Sequence, residues 1–153
     1  MYGICLRYTN SSDDAQDVLH EGFLKIFDKI GQFQSRGSFE GWMRRIMVNT
    51  ALEKFRNQYR HVSIQDNSIE LESDTGEDVN DSLTAKELMK FIQELSPQYR
   101  IVFNLYAIEG YSHKEISHML DISEGTSKSN LSRARTILQD KIKLHYREIV
   151  RTG

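Results

Sequence analysis

Residues 111–136, YSHKEISHMLDISEGTSKSNLSRART, decide the fold. Ser112 with Glu115 three positions later is the S-x-x-E signature of a capping box, which opens a short helix, SHKEISHML. LDIS then reads as a turn, and Ser123 as the N-cap of a longer helix. On that helix Leu131, Ala134, Leu138 and Ile142 fall on one stripe at about 100° per residue, so they bury against the helices before them. A short helix, a tight turn and a longer basic helix make a helix-turn-helix pattern. Residues 125–151 carry seven cations against two anions, Asp140 and Glu148.

The face opposite the buried stripe holds Ser129, Ser132, Arg133 and Thr136. Small hydroxyls beside an arginine permit close approach to a major groove about 12 Å wide, where Arg can bind guanine O6 and N7. Lys128, nearer the helix start, is placed for a base edge or a phosphate, and Arg135 lies nearer the core stripe, suited to a phosphate or a local pair. An ordinary solvated basic helix would have the same composition; the preceding helix and turn favour DNA.

Upstream, a helix spans about Thr84 to Leu95, and Ser96 with Pro97 is an N-cap followed by proline at the first helical position. The helix they open contains YRIVFNLYAI and ends at Gly110. Before it, residues 61–83, HVSIQDNSIELESDTGEDVNDSL, carry seven carboxylates and no Lys or Arg. So little apolar material cannot offset ordering entropy, and the stretch reads as a flexible acidic linker, with a solvated loop as the alternative. In residues 1–60, Asp13 to Ile30 repeats apolar side chains at Ala15, Val18, Leu19, Phe23, Ile26, Phe27 and Ile30 with a helical period. GQFQSRG breaks it, and a second helix starts with Ser38 as N-cap and runs towards Tyr59. The expected fold is all-α: two small helical domains, 1–60 and 84–153, joined by the linker 61–83.

Composition agrees. The 153 residues are 39% hydrophobic and 27% charged, with one Pro and nine Gly, too little punctuation for a sandwich or barrel. The lone cysteine, Cys5, cannot form an internal disulfide, and no signal peptide or membrane-length apolar run appears, so a cytoplasmic protein without membrane insertion is expected. The net charge of −2 averages three blocks, +2 for 1–60, −7 for 61–83 and +3 for 84–153. The flanking domains are basic and the tether masks them.

Catalytic constellations are missing: no phosphate-cradling glycine loop, no paired-cysteine motif, no H-E-x-x-H. His113 and His118 lie about 140° apart around a helix and do not share a metal. Neither enzyme activity, metal nor cofactor is expected. In the first domain Trp42, Arg45, Asn49 and Arg56 fall on one helical stripe, with Phe33 and Arg36 in the loop before. Rings stack unpaired bases and Asn bonds a base edge that has left the duplex, so the set suits single-stranded nucleic acid; core packing is the alternative for Trp42 and Phe33. Asp17, His20, Glu21 and Leu24 share the outward face of the preceding helix, acids around an exposed Leu, as in a docking patch for a basic partner or in plain solvent exposure.

Taken in order, DAQDVLHEGFLKIF, SFEGWMRRIMVNTA, an acidic linker and LSPQYRIVFNLYAIEGYSHKEISHMLDISEGTSKSNLSRAR resemble the extracytoplasmic-function (ECF) subgroup of sigma-70 RNA polymerase sigma factors. The resemblance implies that residues 1–60 correspond to region 2, which binds the clamp helices of the polymerase large subunit and captures the melted minus-10 strand. Residues 84–153 correspond to region 4, whose helix-turn-helix reads the minus-35 duplex. Asp17, His20, Glu21 and Leu24 fall where the family docks on polymerase, with His20 where Gln is usual. The loop Gln32 to Gly37, which carries Phe33 and Arg36, and the helix residue Asn49 match positions that hold a flipped-out promoter base, and Trp42 and Arg45 match the W-x-x-R bordering it. Lys128, Ser129, Ser132 and Arg133 match the recognition helix; Asn130 stands where Arg is frequent and Ser127 where an apolar residue is common.

Core RNA polymerase and promoter DNA are the implied partners, and an anti-sigma factor is a further candidate. Family members carry another helix before the segment ICLRYTN, so either translation begins upstream of Met1 or region 2 is incomplete, in which case apolar surface of the Asp13 to Ile30 helix is expected to be exposed, with lowered stability or self-association. The rivals are a helix-turn-helix repressor or activator acting without polymerase, and a helical adaptor that touches only proteins.

Overall fold

The computed structural model describes residues 1–59 and 83–152, and these fall into two compact helical units. The acidic stretch read as a linker lies, apart from Leu83, outside the described residues. In the first unit, helix α1 (Tyr2–Tyr8), α2 (Ser12–Lys29) and α3 (Phe39–Tyr59) pack against one another. α1 ends at Thr9, where the backbone turns extended and the Thr9 hydroxyl donates to the Cys5 carbonyl at 2.9 Å. Ser11 then caps α2, its Oγ accepting from the Asp14 N–H at 3.1 Å, with Asp13 and Asp14 in the first turn favoured by the helix dipole.

The core of this unit is Ile4, Cys5 and Tyr8 of α1, Ala15, Val18 and Ile26 of α2, and Met47, Val48, Ala51 and Leu52 of α3. α2 meets α3 at the buried Gly22, where a Cβ would overlap the Met47 sulfur. Phe27 and Ile30 correct the expected stripe, being 68% and 50% exposed. The contact line runs through Ala15, Val18, Gly22 and Ile26, which places Phe27 about 100° round from Ile26. Ile30 has already left the helix and opens a 3₁₀ turn, Ile30–Gln32. Ser38 caps α3 as expected, its Oγ accepting from the Gly41 N–H at 3.0 Å.

The second unit holds α4 (Ala85–Gln93), α5 (Pro97–Phe103), a π-helical turn (Asn104–Ile108), α6 (His113–Leu120) and α7 (Glu124–Thr152). α4, α5 and α6 all pack on α7. Ile92 and Leu95 meet Ala134 and Leu138, with Phe91, Tyr99, Phe103 and Ile137 around them. Thr84 and Glu87 form a capping box at the start of α4. Arg100, 2% exposed, donates from Nη1 to the Gln93 carbonyl at 2.8 Å and so satisfies an end carbonyl of α4 from within α5. The helix expected to run from Pro97 to Gly110 widens at the buried Asn104, whose carbonyl accepts from Glu109 five residues on.

Gly22→Ala should destabilise the first unit by about 1–3 kcal/mol, because the added Cβ overlaps the sulfur of the fully buried Met47 and forces that side chain to shift within the core. Chemical denaturation checks this; a variant as stable as the parent would mean that the α2–α3 approach is looser than described.

Candidate nucleic-acid interface

Both ends of the helix-turn-helix are fixed by short-range hydrogen bonds. Ser112 Oγ accepts from the Glu115 N–H at 3.2 Å, and Glu115 returns by accepting from the Ser112 N–H at 2.8 Å. α6 stops at Asp121, which takes left-handed backbone (φ 55) while the Ile122 N–H reaches back to the Ser117 carbonyl. Ser123 Oγ then accepts from the Thr126 N–H at 3.0 Å and starts α7. Leu131, Ala134 and Leu138 are buried, as the stripe requires; Ile142 is half-buried.

Lys128, Ser129 and Ser132 are exposed on the outward face. Ser129 donates to the Thr126 carbonyl and Thr136 to the Ser132 carbonyl, so these hydroxyls lie flat along the helix and present a low surface. Arg133 departs from the expected orientation. It is half-buried and its Nη1 donates to the Tyr99 hydroxyl of α5 at 3.2 Å. Arg135, placed by periodicity near the core, is instead exposed and lies with its guanidinium carbon 5.7 Å from the centre of the Tyr106 ring. Long side chains bend away from the direction of their Cα, and 100° arithmetic fixes only the latter.

His113, half-buried at the start of α6, escaped the sequence reading as a site residue. Its ring stacks on Tyr106 (centroids 4.5 Å, planes 19° apart) and its Nδ1 is 2.9 Å from Ser127 Oγ on α7. Burial, helped by the nearby Lys128 and Arg135 cations and opposed by Glu124, holds this histidine below the usual imidazole range. The pair His113–Ser127 is polar on both sides, which accounts for a fully buried serine where the family favours an apolar residue.

In the first unit Phe33, Phe39 and Trp42 form an aromatic cluster, with centroids 5.2 Å (Phe33–Phe39), 5.5 Å (Phe33–Trp42) and 5.7 Å (Phe39–Trp42) apart. Trp42 and Phe33 are half-buried, apart from the residues of the three-helix core. Arg36, Arg45 and Asn49 are exposed. Ser35 has left-handed backbone (φ 54), a conformation costing a non-glycine residue about 1 kcal/mol, and Gly37 has φ 99. The short loop between Phe33 and Ser38 therefore turns sharply, with Arg36 at its tip.

Asp17, His20, Glu21 and Leu24 are all exposed on α2, Leu24 by 58%. The acids are not alone: Glu21 pairs with Lys25 at 2.8 Å, and Asp17 with Lys54 of α3 at 3.4 Å. Lys25 also reaches Glu53 at 2.6 Å, and Lys54 reaches Asp14 at 3.1 Å. Lys25 and Lys54 thus join the patch, a pairing between helices that helical periodicity does not reveal. Such exposed pairs are weak, about 0–1 kcal/mol each, and exchange readily for a partner's cation. Among the described residues no His, Cys, Asp and Glu cluster could hold a metal ion, and no helix is long and apolar enough to cross a membrane.

Comparison with known proteins bears on both units. Residues 1–61 match the family model of sigma-70 region 2, and residues 85–138 that of sigma-70, region 4. An ECF RNA polymerase sigma-E factor of Haemophilus influenzae is 30% identical over 152 residues, covering 92% of this chain and 80% of the relative. The chain is an ECF sigma factor of the sigma-70 family. The ECF RNA polymerase sigma factor SigE of Mycolicibacterium smegmatis is 29% identical over 159 residues, across the whole of this chain; the chain spans 61% of that relative's length. Among solved structures, the sigma factor RpoE of Bartonella quintana, in complex with the anti-sigma factor NepR, shares the fold with a TM-score of 0.58 and 23% identity. That match covers 93% of this chain and 89% of that one. Membership of this non-catalytic family accords with the absence of a catalytic motif in the sequence.

The capping boxes make this sigma factor acid-sensitive. Bonds from the Thr84 hydroxyl and N–H hold Glu87 below the usual carboxylate range, and bonds from the Ser112 N–H and hydroxyl do the same for Glu115. The stability they contribute is present above the ordinary glutamate pKa of about 4.3 and is lost as pH falls through the depressed values. Thermal melting should fall below that pH less steeply in a Glu87→Gln, Glu115→Gln double variant. Ser112→Ala should cost about 1 kcal/mol at neutral pH in denaturant titrations.

Proposed function

We infer that this chain acts as a specificity subunit of RNA polymerase, working in the cytoplasm with core polymerase and promoter DNA as partners and without a cofactor. Support comes from one observation above the rest: a region 2 module and a region 4 module follow one another in a single chain, with the first turns of α7 offering exposed Lys128, Ser129 and Ser132. In this reading residues 84–153 lay α7 in the minus-35 major groove. The patch Asp17, His20, Glu21 and Leu24 docks on the clamp helices of the polymerase large subunit, where partner cations take over the carboxylates from Lys25 and Lys54.

Residues 1–60 then capture the minus-10 strand. The aromatic cluster supplies a platform for an unstacked base, Asn49 a hydrogen-bonding amide, and Arg36 and Arg45 phosphate contacts. Trapping a flipped base offsets an unstacking cost of a few kcal/mol. Residues 61–83 tether the two modules, so that two weak contacts combine through effective concentration. A protein of the anti-sigma kind, such as the one bound to the Bartonella relative, is a further proposed partner.

Promoter-specific transcription with purified core polymerase tests the reading; a chain that neither joins core nor directs initiation is not acting as a sigma factor. Asn49→Ala should leave core binding intact and impair open-complex formation, seen by permanganate footprinting. Normal melting by that variant would remove Asn49 from the pocket. Arg133→Ala should weaken duplex binding by about 1–3 kcal/mol at one base position if Arg133 leaves Tyr99 for a guanine, whereas Lys128→Ala acting at a phosphate should weaken all duplexes alike and lower the salt slope by about one. Equal losses on every sequence for Arg133→Ala would make it a phosphate contact.

A further inference from the structure

The groups around His113 come from three elements. Tyr106 of the π turn stacks on one face of the ring, Ser127 of α7 holds Nδ1, and Glu124, Lys128 and Arg135 of α7 act on it electrostatically. Arg135 also packs on Tyr106, so histidine and guanidinium flank one ring system. With Nδ1 engaged by the serine, Nε2 is the ring nitrogen left over. It has no hydrogen-bond partner among the described residues and is not among the buried unpaired atoms, so it reaches solvent. A histidine beside two cations, fixed in orientation through one nitrogen and open at the other, is built to meet an anionic oxygen.

We propose that His113, Lys128 and Arg135 form one seat for a phosphate of duplex DNA, and that occupying it places a proton on His113. This rests on the reading of residues 84–153 as a duplex-binding module. In the free protein partial burial, and after it the Lys128 and Arg135 cations, disfavour imidazolium. A phosphate oxygen at hydrogen-bond distance from Nε2 favours imidazolium and so opposes the effect of Lys128 and Arg135. The ring then takes its proton from solvent and donates from Nε2 to the phosphate oxygen. In the imidazolium both ring nitrogens donate, so Nδ1 donates to the Ser127 hydroxyl, which can act both ways. Glu124 is the one carboxylate facing the ring from α7, and it eases the protonation.

Protonation coupled to binding makes affinity pH-dependent. One proton taken up gives at most tenfold tighter binding for each unit by which the pH falls between the bound and free pKa values. At low, constant ionic strength, where phosphate contacts are strong, the full chain should bind a mixed-sequence duplex about fivefold more tightly at about pH 6 than at about pH 7.5. His113→Gln should abolish that dependence, and the exposed His118→Gln should retain it. NMR titration of the His113 ring in the unmodified protein provides a second readout, independent of whether the variant folds: its pKa should rise on adding duplex. Duplex binding with an unchanged His113 pKa, or with the same pH dependence in His113→Gln, overturns the phosphate seat and leaves the sigma reading standing. A chain that binds no duplex and fails to direct transcription with core overturns both.

Discussion

The region 4 half of this protein depends on the burial of one face of α7. α4 and α5 contribute side chains to the cluster around Ala134 and Leu138, and α6 packs on α7 as well. That dependence explains why short-range caps are so well formed here. α4, α5 and α6 have nine, seven and eight residues, lengths at which an isolated helix does not hold. Capping boxes at Thr84 and Ser112, proline at the head of α5 and the Arg100 bond to the end of α4 each lower the cost of fixing an end. The apolar stripe then supplies the rest. Removing the stripe would leave well-capped segments with nothing to dock on.

The first unit solves a different problem. Two of its three helices, α2 and α3, meet at a small contact, Gly22 against Met47, and their close approach brings their polar edges within ion-pair reach. Lys25 and Lys54 span that edge to Glu53, Asp14 and Asp17. Close packing inside therefore sets the charge arrangement outside, and the patch proposed to dock on polymerase is a by-product of how tightly the two helices fit. Leu24 stands exposed within it, with Phe27 exposed further along the helix and Ile30 just past its end.

Much of this was legible in the sequence because the signals were local. Ser38, Ser112 and Ser123 cap the helices they were expected to cap, since N-cap geometry needs only a hydroxyl and an N–H three residues on. Apolar spacing found the α7 stripe for the same reason. The failures lie where a long side chain or a distant partner decides. Arg133 turns inward to Tyr99, thirty-four positions away, and Arg135 rises onto Tyr106. His113 and Ser127 face each other across the turn, a pairing that neither residue's own helix announces. Phe27 was misplaced because it stands about 100° off the contact line, and Ile30 because the period was carried through the helix end. Family likeness named the candidate positions well, but which of them lie free and which are already engaged is a matter of tertiary contact.

The π-helical turn at Asn104–Ile108 carries a consequence of its own. A π turn holds roughly one residue more than an α turn, so deletion of one residue from it would restore an unbroken α-helix with its backbone bonds satisfied. The residues that follow would keep nearly the same bearing, because a π turn and an α turn each make one circuit of the axis. What would change is confined to the turn itself, where the Tyr106 ring stacks on His113 and lies beneath Arg135. The extra residue is thus accommodated locally, and the direction of the helices beyond it does not hang on that residue.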